Sequence, residues 1–437
     1  MSFKKKSIQK INPGKNRLKY RSLEKWLKWQ ESLHFTAVEL GLERCRRVAN
    51  NMGLLNPPYD VISVAGTNGK GSSITLLDSI LRNSGYKIGR YTSPHLLRYN
   101  ERICINGKEV EDAELCESFD RIDRARGDIS LTYFEFGTLA ALDLFRQYEV
   151  QLAILEVGLG GRLDAVNILD ADISLITSID IDHQEWLGND RDSIGREKAG
   201  IFRNLAPAIC SEPSPPQSIL DCSEALGTPL YLLGRDYKYN LEKGDWTWET
   251  KDTCLDGLPR PMKFCDFQIQ NASGVLMVLN KIKDEYPVKK KDIQKGLSSF
   301  RLKGRFQMIL GEIPKILDVA HNRESIKALV ENLKIIPCHG KTHIILGMLR
   351  DKDYQQVIKE LMSITDVWHF VSISQERGVK AEILTFELKM FSNQENVFEY
   401  DDMKSALDSV HKYAKPNDRV IITGSFHTVG AAIRCLN

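Results

Sequence analysis

A lysine framed by glycines is the segment of this 437-residue chain whose residue types most directly imply chemistry. It reads Gly66-Thr67-Asn68-Gly69-Lys70-Gly71-Ser72. The short apolar run Val61-Ile62-Ser63-Val64-Ala65 precedes it, and Ser73 to Asn83 after it is patterned as a helix. Strand, glycine loop and helix make a phosphate cradle. Backbone N–H groups point into one concavity, and the helix start adds positive potential. Lys70 is placed to neutralise β- and γ-phosphate charge, and Ser72 to bond a phosphate or assist a metal. The loop departs from the common Gly-x4-Gly-Lys-Ser/Thr pattern. Val64 stands where its first glycine belongs, and Gly71 separates Lys70 from Ser72.

Three further segments end apolar runs with groups able to hold a metal. They are Thr92-Ser93-Pro94-His95-Leu96, the stretch Leu155 to Asp164 containing Glu156, and Ile179-Asp180-Ile181-Asp182-His183. The second superficially resembles a dinucleotide fingerprint, but Leu163 occupies its third glycine position. Alone, Glu156 reads as an ion-paired carboxylate and His183 as a hydrogen-bonded loop histidine. Together, at strand ends beside a phosphate loop, oxygen and imidazole donors suit a hard cation such as Mg²⁺. Arg196-Glu197-Lys198 reads as surface charge decoration. A neutral Lys198 amine near a metal has a second use: adding CO₂ gives a carbamate, an anionic oxygen ligand.

Positioning these groups requires a sheet. Residues 22–50 carry apolar residues at roughly helical spacing, and Asn56-Pro57-Pro58 breaks the pattern. Leu131 to Tyr148 predicts a helix entered through Thr132. Residues 152–157 and 173–178 predict buried parallel strands, covered by helices on both faces. Residues 205–270 predict strands and loops at the edge of a first domain, and Ala272 to Asp284 a helix. Alternation then restarts with strands at 315–319, 342–346, 367–373 and 419–422. The expectation is α/β: a P-loop-type ATP-binding domain over 1–298 with a mostly parallel sheet, and a smaller Rossmann-like α/β domain over 299–437.

Composition narrows the class. Apolar residues are 42% and charged residues 27%, the balance of a globular chain, and a net charge of +2 implies no nucleic-acid field. The first stretch is basic, with Lys4, Lys5, Lys6, Lys10, Lys15, Arg17, Lys19 and Arg21, and reads as a solvated tail. It has neither a signal-type apolar run nor a membrane span after it. Nine scattered cysteines form no CxxC pair, which favours a reducing, cytoplasmic setting over zinc or disulfides.

The chain resembles the bacterial folylpolyglutamate synthases of the Mur-ligase superfamily, most of all the bifunctional dihydrofolate synthase/folylpolyglutamate synthase type. The resemblance rests on Leu40-Gly41-Leu42-Glu43-Arg44, Gly66 to Ser72, Tyr91 to Arg102, Thr132 to Gly137, Glu156 to Asn167, Asp182-His183 and Arg196 to Phe202. It continues through Gly304 to Gln307, Asp318 to Asn322, Gly347-Met348-Leu349 and Gly424 to Thr428. It implies that Gly66, Thr67, Asn68, Gly69, Lys70, Gly71 and Ser72 hold ATP phosphates, with Asn271, Arg305 and Asp318 completing the site. It implies Ser93, Glu156 and His183 as magnesium ligands and carbamylated Lys198 supporting a second metal. His321 would sit by the phosphate or the incoming glutamate. The pterin would lie against Val38, Glu39, Leu40, Thr132, Tyr133, Phe134, Glu135, Leu163, Asp164 and Ala165.

The implied reaction joins L-glutamate to dihydropteroate and to tetrahydrofolate polyglutamates through an acyl phosphate. Carboxylate and triphosphate repel, by about 4 kcal/mol for unit charges 4 Å apart at an effective dielectric of 20. Lys70, Arg305 and Mg²⁺ would oppose that repulsion. A monofunctional folylpolyglutamate synthase, another Mur-type ligase and a P-loop ATPase or kinase stay open as alternatives. So does a monovalent-cation requirement. Small-molecule substrates, no nucleic acid, no membrane and a monomer complete the expectation.

Overall fold

The computed structural model describes residues 18–36, 38–242, 244–262 and 266–436. Six of the eight basic residues of the expected tail, Lys4 to Arg17, lie outside them. In strand β1 (Asp60–Ala65), Val61 and Ala65 join one apolar cluster while Ile62 and Val64 join another on the opposite face. A strand apolar on both faces belongs inside a covered sheet. β1 is accordingly central in an eight-stranded sheet with β2 (Ile88–Tyr91), β3 (Ile103–Ile105), β4 (Lys108–Glu109), β5 (Leu152–Glu156), β6 (Ile173–Ile176), β7 (Ala208–Cys210) and β8 (Leu230–Leu232). The order is β4-β3-β2-β5-β1-β6-β7-β8, and all neighbours from β2 to β8 pair in parallel. The consequence for function is that β2, β5, β1 and β6 lie side by side and end at the same edge.

The helix Tyr133–Gln147 starts at Thr132 as expected. Thr132 Oγ1 accepts from the Glu135 N–H at 3.2 Å, and Glu135 Oε2 accepts from the Thr132 N–H at 2.7 Å, a reciprocal cap. The expected helix over 22–50 is instead two, Leu23–Glu31 and Glu43–Asn51. Between them Gly41 takes φ +153°, Leu40 lines a cavity and Leu33 and Leu42 pack against the core, so their helical spacing comes from a loop.

Residues 205–270 hold more than edge strands. β7 and β8 extend the main sheet, with a helix, Gln217–Leu226, between them. β9 (Tyr237–Leu241), β10 (Asp245–Thr250) and β11 (Cys254–Pro259) form a separate antiparallel sheet. Its Trp246 and Trp248 are fully buried in the cluster beneath the main sheet, and the Trp248 indole N–H donates to Ser273 O.

A second lobe contains β12 (Gln307–Ile309), β13 (Lys315–Leu317), β14 (Thr342–Leu346), β15 (Val367–Val371), β16 (Val397–Tyr400) and β17 (Arg419–Thr423). Its order is β12-β13-β17-β14-β15-β16, parallel except for β12. β12 and β16 were not foreseen. Both are short edge strands without a continuous apolar run. The architecture is mixed α/β, with one large and one smaller mostly parallel sheet. Among the described residues no helix is long and apolar enough to cross a membrane.

A polar chain crosses the second sheet. His343 Nδ1 meets His369 Nε2 at 3.1 Å, and His369 Nδ1 meets the Tyr400 hydroxyl at 3.2 Å. Burial holds both histidines below the usual range, His369 at about 3. The unfolded chain binds their protons from pH ~6.5 downward while the folded chain refuses them. Their contribution to stability is therefore intact above that pH and is lost as pH falls towards 3. At pH 5, His369 alone accounts for about 2 kcal/mol. His369→Phe, which keeps the ring stacked on Phe398, should shrink the fall in melting temperature between pH 7 and pH 5 in scanning calorimetry. An unchanged fall would clear His369 of this role.

Candidate functional site

The glycine loop leaves the carboxyl end of β1 and enters the helix Lys70–Asn83. Gly69, just before the helix, takes φ +87°, and a Cβ there would lie 2.3 Å from Asn271 Oδ1. Both facts demand glycine. Thr67 N and Asn68 N bond Ser178 O and Ser178 Oγ at 2.8 and 3.1 Å, tying the loop to the segment after β6. Lys70 Nζ donates to Gly66 O at 2.8 Å and to Thr67 O at 3.1 Å, so the loop's own carbonyls aim the ammonium. Burial lowers its pKa, and Glu156 opposes that shift.

The loop lines a cavity of about 130 Å³ together with Ser93, Glu156, Asp182, His183, Lys198, Arg305 and His321. Ser93 follows β2, Glu156 ends β5 and His183 follows β6. Glu156 Oε2 accepts the Ser93 N–H at 2.9 Å. Burial raises its pKa, against the pull of Lys70. His183 holds a left-handed φ of +52°, uncommon outside glycine, and burial lowers its pKa to about 4. Lys198 ends the helix Arg191–Ala199 and is 4% exposed. Burial first, then neighbouring Lys70, lowers its pKa to about 7. A buried amine neutral for much of the time near neutral pH is a nucleophile, unlike an ordinary lysine.

Arg305 and His321 arrive from the second lobe. The Arg305 guanidinium lies 5.6 Å from the Phe426 ring centroid. Asp318 accepts the Phe306 and Ala320 N–H groups at 2.8 Å each, bracing the turns that carry Arg305 and His321. His321 Nδ1 meets Val319 O at 2.9 Å, which makes Nδ1 the donor and leaves Nε2 an acceptor. Burial lowers its pKa to about 4.

A larger cavity of about 930 Å³ adjoins the first. Val38, Glu39, Leu40, Thr132, Tyr133, Phe134, Glu135, Leu163, Asp164 and Ala165 all line it. Arg44 pairs with both Glu39 and Glu135, and His34 Nε2 meets Glu39 at 2.6 Å. Asp164, its pKa raised by burial to about 7, accepts the Leu159 and Val166 N–H groups. The two cavities share Ser93, Pro94, Gly158, Leu159, Asp182 and His183. A ligand in the large cavity therefore meets a ligand in the small one at these residues.

Residues 64–211 match the Mur ligase middle domain, and residues 304–426 match the Mur ligase, glutamate ligase domain. The dihydrofolate synthase/folylpolyglutamate synthase of Escherichia coli strain K12 is 43% identical over 416 residues, 95% of this chain and 96% of its own length. The chain belongs to the dihydrofolate synthase/folylpolyglutamate synthase family of Mur ligases. A solved structure described as E. coli FolC in complex with DHPP and ADP superposes with a TM-score of 0.90 at 42% identity, covering 95% of this chain and 97% of that one. The bifunctional folylpolyglutamate synthase/dihydrofolate synthase of Yersinia pestis CO92 gives 0.87 at 43% identity, covering 95% and 98%, and a solved structure of a bifunctional enzyme of this kind with Mn, AMPPNP and L-glutamate bound gives the same values.

In this member of the family not every expected residue lines the small cavity. Ser72 is buried behind the loop, where its hydroxyl accepts from Gln268 Nε2 at 3.1 Å. Asn271 backs Gly69, and Asp318 braces from behind. Four cations outside the expected site residues, Arg102, Arg350, Lys352 and Arg377, border the large cavity. Arg102, 9% exposed, donates Nε to His95 Nδ1 at 2.9 Å and stacks near Tyr99 and Tyr133. Lys352 reaches from the second lobe to Asp182 and His183. Their signals were present: Arg102 closes the quoted segment 91–102, and Asp351-Lys352-Asp353 follows the quoted Gly347-Met348-Leu349.

Gly69→Ala tests the loop geometry. A left-handed alanine costs roughly 1–2 kcal/mol before any clash with Asn271. We expect ADP binding by calorimetry to weaken about ten-fold or more, with far-UV circular dichroism unchanged. Unaltered affinity would show that the loop conformation does not govern nucleotide binding.

Proposed function

We propose that this chain is an ATP-dependent ligase that joins L-glutamate to dihydropteroate and to tetrahydrofolate polyglutamates. The observation that carries the reading is the junction of the two cavities. It gives the terminal carboxylate of an acceptor in the large cavity a place to meet the last phosphate of a nucleotide in the small one. The names of the E. coli and Y. pestis relatives support both activities. Free thiols at all eight cysteines of the described residues support a reducing cytoplasm.

In this reading residues 66–72 cradle the triphosphate, and Lys70 and Arg305 bring positive charge from opposite lobes to the transferring phosphoryl group. Asn271 and Asp318 act from behind, holding the loop and the second-lobe turns. The Ser93 hydroxyl, Glu156 carboxylate and His183 imidazole are donors that fit Mg²⁺. Among the described residues no group of three or more His, Cys, Asp or Glu is placed to hold a metal alone. Phosphate oxygens and water would complete the shell, as Mg²⁺ prefers. A bound Mg²⁺ would withdraw charge from the phosphates and ease attack. Lys198, neutral enough to take up CO₂, would supply a carbamate towards a second ion.

The acceptor carboxylate attacks the γ-phosphorus of ATP, the bond to ADP breaks and an acyl phosphate forms; the glutamate amine then attacks the acyl carbon, and phosphate leaves. His321 Nε2, an unprotonated acceptor at neutral pH, would receive a proton from that amine. The pterin would lie against Val38 to Leu40, Thr132 to Glu135 and Leu163 to Ala165, where Glu39 and Glu135 offer carboxylates fixed by Arg44.

The test is phosphate release by purified protein with dihydropteroate, tetrahydrofolate and glutamate supplied singly and together. Release that needs glutamate and either acceptor is expected. Glutamate-independent release would favour an ATPase or kinase, and response to only one acceptor would make the enzyme monofunctional. Lys70→Ala should lower turnover by about 1000-fold or more with the fold intact. Near-normal ligation would remove Lys70 from phosphate chemistry. Lys198→Ala should lose activity that acetate or another small carboxylate partly restores, and total insensitivity would speak against the carbamate.

A further inference from the structure

Lys352 lies in the turn between β14 and the helix Tyr354–Leu361, yet its ammonium is spent on the other lobe. Nζ donates to Asp182 Oδ1 at 2.7 Å and lies 3.4 Å from His183 Nε2. The side chain is 7% exposed, so this is a buried contact rather than a surface pairing. The second oxygen of Asp182 is held from the same lobe, by Asn322 Nδ2 at 3.3 Å.

His183 Nε2 is the atom that a divalent cation at this site would use. An ammonium hydrogen-bonded to that nitrogen occupies its lone pair, and two cations at such range repel. Lys352 and a metal ion on His183 therefore exclude one another. A second acceptor stands ready: Asp351 Oδ2 is 3.8 Å from Nζ, and Asp351 is itself fixed by Arg377 at 2.7 Å. A small swing would hand the ammonium from a carboxylate across the gap to one in its own turn.

We propose that Lys352 is a positioning residue that competes with the divalent cation for the Asp182–His183 pair. It keeps the pair oriented until a metal arrives with the nucleotide, then yields. Metal loading is thereby coupled to the contact between lobes. The proposal rests on the reading of His183 as a metal ligand given under Proposed function.

The test is Mn²⁺ binding, read as free Mn²⁺ by electron paramagnetic resonance at fixed ADP, for the wild type, Lys352→Met and Lys352→Arg. Melting temperatures confirm that each variant is folded. Lys352→Met removes the competitor and should bind Mn²⁺ at least five-fold more tightly, whereas Lys352→Arg keeps a cation and should stay within two-fold of the wild type. Equal or weaker binding by folded Lys352→Met overturns the competition while leaving the metal site standing. Tighter binding by both variants also overturns it, because the gain would then come from altered packing. No Mn²⁺ binding by any of the three removes the metal reading of His183 and the proposal with it.

Discussion

Adjacency in the first sheet is the constraint on which the rest depends. β2, β5, β1 and β6 are neighbours, parallel, and therefore end at one edge. Ser93, Glu156, the glycine loop and the Asp182–His183 pair are spread from residue 66 to residue 183, and no local interaction could gather them. Parallel pairing does so without any specific side-chain contact, and the edge it creates is where open α/β sheets bind ligands. Helices covering both faces allow these strands to be mostly apolar, and in β5 the apolar run Leu152 to Leu155 ends abruptly at Glu156.

Polarity concentrated at that edge carries an electrostatic cost. Lys70, Lys198 and Glu156 line the same small, buried cavity, with Arg305 added from the other lobe. Burial moves all three titratable groups towards their neutral forms: Lys70 and Lys198 down, Glu156 up. Such a site is poorly matched to itself and well matched to a polyanion carrying its own counter-cations. The mismatch is what turns Lys198 from a salt-bridge lysine into an amine with nucleophilic character.

Much of this was legible from residue order. Continuous apolar runs marked β1, β5, β6, β14 and β17, and the residue after each run was the one to examine. Thr132 announced its helix because its reciprocal bond with Glu135 is written in the sequence. Loops lining cavities were harder. In residues 32–42 Leu40 lines a cavity while Leu33 and Leu42 pack against the core from a loop, and a one-dimensional pattern does not separate such a loop from a helix. The strands β9 to β11 alternate too irregularly, with a register shift between Trp246 and Trp248, to be read as a sheet. Lys352 stands in a charged triplet that is plain in the sequence, but its partners sit 169 and 170 positions away, on the other lobe, so its role is not.

Asn68 gives the glycine loop a reach beyond the first sheet. Its side-chain amide bonds Asn322 Oδ1 at 3.3 Å and Glu324 Oε2 at 2.5 Å, both at the start of a helix in the second lobe. The loop is thus gripped from two sides, by the sheet it leaves and by the second lobe. The turn at the carboxyl end of β1 doubles as a latch between the two halves of the molecule, so the cavity it lines has its geometry fixed by both halves at once.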